Sequence, residues 1–189
     1  SSHPGKFGFV SLHNALANNF KGQVFATNLQ EENILGVQTV ADLSALPVGE
    51  IDLAFFCTPA SSNEALLKQC SQLGISSAFI ASAGYRESGE AGEAAESSLL
   101  KLANSLGMLI AGPNGQGVVS TPASLCLQIV APYPPQGGIS VASQSGNFVS
   151  SFLNYAKQSG VGIARAISAG NATQVSVENF LNYFASDDE

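Results

Sequence analysis

Residues 138–147, Gly138-Ile139-Ser140-Val141-Ala142-Ser143-Gln144-Ser145-Gly146-Asn147, read as a short buried strand that stops in small polar residues and then opens a helix. An α/β protein builds anion sites in this way. A helix start carries free backbone N–H groups and the positive end of the helix dipole. Ser143, Ser145 and Gly146 place hydroxyls and bare backbone there, with no bulky side chain to keep a phosphate away.

The same punctuation recurs on both sides of this stretch. Gln23 to Thr27, Ile51 to Cys57, Ser77 to Ser82 and Met108 to Ala111 read as strands, each closed by Gly, Pro or Asn. Largely apolar runs with such stops suit strands buried on both faces, as in a parallel sheet. Helical segments lie between them at Phe9 to Phe20, Ser62 to Leu73 and Glu90 to Leu106. In the last of these, Leu99, Leu102 and Leu106 share one face. This βαβ rhythm predicts an α/β fold.

Residues 121–137 break the rhythm. Thr121-Pro122 and the run from Pro132 to Gly138 read as a crossing segment and linker, with a domain boundary near 130–137. Beyond it come strand 139–143, helix 146–159, strand 163–168 and helix 175–186. Two strands do not make a stable sheet, so the second unit, 137–189, is expected to be truncated or completed by another segment. The first unit, 1–130, opens with Ser1 to Gly8 as the turn after a strand that is itself missing. The chain therefore reads as a fragment at both ends.

Composition narrows the function. A net charge of −7 with only seven Lys and Arg excludes the basic face that nucleic acid needs. Any phosphate ligand must be held by backbone N–H groups and a few local cations such as Lys6. Cys57, Cys70 and Cys126 are odd in number and far apart, with no C-x-x-C, which indicates reduced thiols, no disulfide framework and no zinc site. No apolar run reaches the length of a membrane span, and no leader pattern is present. A soluble, cytoplasmic protein without a metal is expected.

Strand tips carry the remaining chemistry, because ligands of open α/β sheets bind outside the carboxyl ends of strands. Pro4-Gly5-Lys6-Phe7-Gly8 is a glycine turn before a helix. Thr58-Pro59-Ala60 and Ser82-Ala83-Gly84 end successive strands, each also readable as a plain tight turn. Gly112-Pro113-Asn114-Gly115-Gln116-Gly117 is a sharply bent segment in which Asn114 can both donate and accept. Gly170-Asn171 follows strand 163–168 as Gly146-Asn147 follows strand 139–143. His3 and His13, without acid or Cys partners nearby in sequence, read as structural or solvated. Glu87 reads as a solvated loop charge or helix-start acid. No Ser-His-Asp signature, H-E-x-x-H or P-loop is present.

In this order and spacing the motifs resemble those of the NDP-forming acyl-CoA synthetases, which include ADP-forming acetate–CoA ligase and, more distantly, the succinyl-CoA synthetase α subunit. Pro4 to Gly8 resembles the family's first CoA-binding turn, Ser82-Ala83-Gly84-Tyr85 its S-A-G-[FY] strand end, and Gly112-Pro113-Asn114 its G-P-N-C-x-G segment. Val141 to Gly146 resembles its V-S-Q-S-G turn, and Ser168-Ala169-Gly170-Asn171 its S-x-G-N.

The resemblance implies a Rossmann-like CoA-binding domain followed by the first part of a flavodoxin-like parallel α/β domain. It implies coenzyme A as substrate, bound through Gly5, Lys6, Gly8, Thr58, Pro59, Ser82, Ala83, Gly84 and Asn114. Ser143, Ser145, Gly146, Asn147, Gly170 and Asn171 would form the phosphate site. In this family an acyl-CoA is exchanged for an acyl phosphate, whose phosphoryl group passes through a histidine to ADP or GDP. The Mg-nucleotide would be held by an ATP-grasp domain or subunit, within an oligomeric ligase.

Two departures stand out. Gly115 replaces the usual Cys, and neither His3 nor His13 matches the phosphorylated histidine, so no catalytic residue of the relay lies in this chain. Asn28-Leu29 also replaces the usual N-P. Two other readings remain: an acyl-CoA-sensing domain of a protein acetyltransferase, and an NAD(P)-binding oxidoreductase domain. The latter lacks an acidic residue at Thr27-Asn28, although Glu31 and Glu32 lie close by.

Overall fold

A computed structural model describes residues 2–188. Helix α1 (Phe7–Ala17) comes first, followed by a small hairpin of β1 (Asn33–Ile34) and β2 (Val37–Gln38). Then β3 (Ala54–Phe56), α2 (Ala60–Gln72), β4 (Ser77–Ile80), α3 (Glu90–Ser105) and β5 (Leu109–Ala111) alternate. The three strands form one parallel sheet in the order β3-β4-β5, with Ala54 opposite Ala78 and Ser77 opposite Leu109. The strand reading of the sequence holds here because β4 is apolar on both faces. Ala78 and Ile80 enter the core that includes Leu67, Leu99 and Ala103, while Phe79 turns to the opposite face.

Two expectations change. Gln23 to Thr27 is not a strand; only Thr27 makes an isolated bridge, to Val40. An extended segment becomes a strand only when a neighbour takes its backbone N–H and C=O groups, and a groove of about 900 Å³ separates residues 23–27 from β3.

The crossing segment is also more ordered than its Pro and Gly content predicts. Residues 117–128 form a hairpin, β6 (Gly117–Ser120) and β7 (Leu125–Gln128), which joins β8 (Gln136–Ser143) and β9 (Ile163–Ser168) in a four-stranded sheet ordered β7-β6-β9-β8. β8 and β9 are parallel, as the sequence implied; β6 runs antiparallel to both β7 and β9, so this sheet is mixed. The hairpin supplies the strands that two alone would lack, and it lies on the N-terminal side of the expected boundary near 130–137.

Helix α4 (Gly146–Ser159) packs Val149, Leu153 and Ala156 onto one face of this sheet with Val119, Cys126, Ile163 and Ala166. The other face meets the first sheet. Phe79, Ala81, Ile129 and Ile167 form a core between the two sheets, joined by Phe180 and Phe184 of α5 (Val177–Ala185). Phe55 stacks on Phe79 with ring centroids 5.2 Å apart. Both parallel strand sets therefore stop around the same opening.

Candidate functional site

That opening is a cleft of about 620 Å³. One wall comes from the carboxyl ends of β3 and β4, at Cys57, Thr58, Pro59, Ser82 and Ala83. Asn114, Gly115 and Gln116 form its floor, and Gln144, Ser145, Gly146 and Asn147 approach from the end of β8. No residue lining the cleft is charged. An anion placed there would meet backbone N–H groups and the positive end of the α4 dipole rather than a charged side chain.

The β3 and β4 tips are strapped together from below. Asn63 of α2 is fully buried. It accepts a 2.7 Å hydrogen bond from the Thr58 hydroxyl and donates to the Ser82 hydroxyl and, at 2.7 Å, to the Tyr85 hydroxyl. Ser82 Oγ in turn donates to the Thr58 carbonyl. The hydroxyl protons of Thr58 and Ser82 are thus engaged within the protein. These residues fix the shape of the wall and leave backbone and lone pairs to a ligand.

Across the cleft, Ser145 caps α4 by accepting from Phe148 N at 3.2 Å, and Ser143 Oγ accepts from Ser145 N at 3.1 Å. The N–H groups of Gly146 and Asn147 lie in the open first turn of the helix. Gln116 bridges this turn: its amide donates to Asn147 Oδ1 at 3.2 Å and accepts from the Ser150 hydroxyl. A Cβ on Gly146 would collide with the Gln116 side chain, so glycine lets Gln116 lie flat against the helix start.

Gly115 is equally constrained. A Cβ there would stand 2.5 Å from the Ser168 carbonyl oxygen and 2.6 Å from the Phe79 ring. Phe79 fills the volume that a side chain at 115 would need. The nearest thiol lining the cleft is Cys57, and burial pushes its pKa up against the opposing effect of its contact with Ser11. Burial thus disfavours the thiolate, the nucleophilic form.

Behind the floor, the loop after β9 is bolted to the first sheet's helices. Asn171 is 8% exposed, and its Nδ2 donates at 2.7 Å to both Glu87 Oε2 and Glu96 Oε2. Glu96, 4% exposed, also accepts from Thr173 Oγ1 and from Arg86 N at 3.2 Å. Arg86 donates to the Asn171 carbonyl. Gln174 Oε1 accepts from Ile110 N on the edge strand β5. Gly170 has φ +59 and packs directly on the backbone of Pro113 to Gly115. Glu87, read from sequence as a solvated loop charge or helix-start acid, is exposed in the first turn of the short 3-10 segment Arg86–Ser88 and also accepts from Gly84 N, Tyr85 N and Asn171 Nδ2.

Eight expected site residues therefore meet in the cleft: Thr58, Pro59, Ser82, Ala83, Asn114, Ser145, Gly146 and Asn147. Ser143 lies just behind it, supporting Ser145. Lys6 and Gly8 border the neighbouring apolar groove, which meets the cleft at Phe7, Cys57 and Thr58. Gly5 and Gly84 line neither space. Gly170 and Asn171 lie in the joint behind the floor and do not line the cleft. Sequence reasoning passed over Phe7, Cys57, Gln116, Gln144 and Ile129. Gln116 had one signal, a polar side chain set between two glycines in the bent segment. The exposed histidines His3 and His13 do not line the cleft.

Comparison with known proteins finds two family matches along the chain. Residues 1–121 match a family described as a CoA binding domain, and residues 136–189 match one described as a succinyl-CoA ligase like flavodoxin domain. The chain is 31% identical over 188 residues to acetate–CoA ligase [ADP-forming] I of Archaeoglobus fulgidus, covering 100% of this chain and 27% of that protein. It is 30% identical to acetate–CoA ligase [ADP-forming] II subunit alpha of Pyrococcus furiosus, covering 100% of this chain and 41% of that subunit. Among solved structures, the dinucleotide forming acetyl-coenzyme A synthetase 1 of Ca. Korarchaeum cryptofilum, in complex with phosphate and ADP, superposes with a TM-score of 0.93 at 28% identity. That match covers 100% of this chain and 40% of the other. The chain spans between a quarter and just over two fifths of these proteins. No helix among the described residues is long and apolar enough to cross a membrane.

Proposed function

Given that this chain belongs to the CoA binding domain family over residues 1–121, we propose that it is the CoA-binding portion of an NDP-forming acyl-CoA synthetase. The single observation that carries this reading is the uncharged cleft where the β3 and β4 tips face the open start of α4. CoA enters past the Gly5-Lys6-Phe7-Gly8 turn, with Lys6 near its phosphates, and crosses Phe7 into the cleft. The pantetheine arm lies along Thr58, Pro59, Ser82 and Ala83. The acyl carbonyl then reaches the first turn of α4.

There the N–H groups of Gly146 and Asn147 receive inorganic phosphate or the phosphoryl group of an acyl phosphate. Phosphate oxygen attacks the thioester carbonyl, the C–S bond breaks, and CoA leaves as the thiolate to be protonated. The chain's own contribution is to bind both reactants and to stabilise negative charge on phosphate and developing oxyanion. Phosphoryl transfer to ADP or GDP uses a histidine and an Mg-nucleotide held by an ATP-grasp domain or partner subunit. The free thiols Cys57, Cys70 and Cys126 support a cytoplasmic setting.

Calorimetric titration of CoA tests the proposal. The expected result is saturable CoA binding that NADH does not compete away, weakened when Ala83 at the cleft wall becomes Trp. A folded chain that binds no CoA, or that binds NADH in preference, contradicts it.

A further inference from the structure

Asn171 cannot be turned around. Both groups that face its Nδ2, at 2.7 Å each, are carboxylates, and an ionised carboxylate only accepts. Its Oδ1 therefore faces the other way, toward Asn114, and accepts from Asn114 Nδ2 at 3.4 Å. The backbone reinforces the pairing, since Asn171 N donates to the Pro113 carbonyl at 2.8 Å. With its Nδ2 committed to Asn171, Asn114 has its direction set in turn. Its Oδ1 is left without a partner among the described residues, and the residue lines the cleft.

We propose that Asn114 presents its side-chain oxygen to the cleft as the acceptor for an amide N–H of the pantetheine arm. Glu87 and Glu96 act as positioning residues that set this direction through Asn171. This rests on the reading of the cleft as the CoA site and adds the polarity of one contact. The pantetheine arm carries two secondary amides, each with one N–H to place, whereas a thiol is a weak donor. An acceptor on the floor fits an amide passing over it. A reversed Asn114 would offer only donors and would leave that N–H unsatisfied, which a binding site penalises heavily.

The test compares acetyl-CoA, which has both amides and no thiol, with adenosine 3′,5′-bisphosphate, which lacks the pantetheine arm. Asn114→Leu is expected to weaken acetyl-CoA about tenfold, the scale of one well-placed hydrogen bond, while leaving the bisphosphate within about twofold. Asn171→Ala is expected to weaken acetyl-CoA severalfold in the unmodified chain and to have no further effect on the Asn114→Leu background. A purely structural role for Asn171 would give additive losses for both ligands.

If Asn171→Ala does not fold, Asn171→Ser, which also lacks the amide that pairs with Asn114, takes its place, with the same non-additivity expected. Equal losses for the two ligands, or additive losses in the double variant, overturn the inference. An unmodified chain that does not bind acetyl-CoA overturns the underlying CoA reading instead.

Discussion

Glu87 shows how a residue that looks unimportant in sequence becomes structural through its partners. Burial tends to raise its pKa, but hydrogen bonds from Asn171 and from the N–H groups of Tyr85 and Gly84 outweigh this, and the carboxyl lies below its ordinary value of 4.5. A depressed carboxyl contributes stability that is fully present above the unfolded value and is lost as pH falls through the folded one. Urea midpoints measured between about pH 3 and 6 should therefore fall more steeply with acid in the unmodified chain than in Glu87→Gln. Parallel curves would contradict the assignment.

Gly115 gives a second prediction at the same scale. Gly115→Cys places an atom against Phe79 and the Ser168 carbonyl. It should cost about 1–3 kcal/mol by overpacking, and Phe79→Leu should recover part of that. Denaturant unfolding of the single and double variants checks this. The buried thiols make a third. The pKa of Cys70 is pushed up to about 11 and that of Cys126 to about 12, both by burial. Iodoacetamide at neutral pH should label them only after denaturation, and rapid labelling of the native chain would contradict their placement.

At the scale of elements, α4 connects sequence to site most directly. Its span, read from the sequence as 146–159 after a start in small polar residues, matches the structure, where Ser145 caps it and Gly160, at φ +73, ends it, because caps and stops are local chemistry. Ser145→Ala should lower stability by about 1 kcal/mol and weaken phosphate binding, read by thermal melting with and without phosphate. Strands 77–80 and 163–168 were legible for the same kind of reason, as apolar runs between glycine stops.

The hairpin 117–128 was not. Its residues carry the Gly and Pro signals of a linker, and only pairing across to β9, with Gly117 opposite Ser168 and Ser120 opposite Arg165, makes them strands. Residues 23–27 fail in the opposite sense: the pattern suits a strand, but β3 lies across a groove and no ladder forms. Propensity depends on sheet context, which a single sequence does not display.

At the scale of the whole molecule, the two sheets are held by an apolar core and by polar links, chief among them a joint behind the cleft floor. The core residues Phe79, Ala81, Ile129 and Ile167 come from both sides, and the joint gathers Arg86, Glu87, Glu96, Asn114, Asn171 and Thr173. The sequence set Gly170-Asn171 beside Gly146-Asn147 at a phosphate site and Asn114 among the CoA residues, yet it did not show that Asn114 lines the cleft while Asn171 locks the joint. That distinction depends on Glu96, whose position in the middle of α3 gave no sign of it.

Glu96→Ala strips a buried acceptor from Asn171, Thr173 and Arg86 N. Each donor left unsatisfied costs about 1–3 kcal/mol. The variant should unfold at lower denaturant and be cut faster by protease near residues 170–174. Wild-type resistance in that loop would contradict the joint.

CoA binding in the cleft between the two sheets is the central proposal. The most direct measurement is the perturbation of backbone amide resonances on adding CoA to the isotopically labelled chain. The largest shifts are expected at Ala83, Asn114 to Gln116, and Gly146 and Asn147. Shifts confined to residues 20–27 and the groove beside β3, or no shifts at saturating CoA, would contradict it.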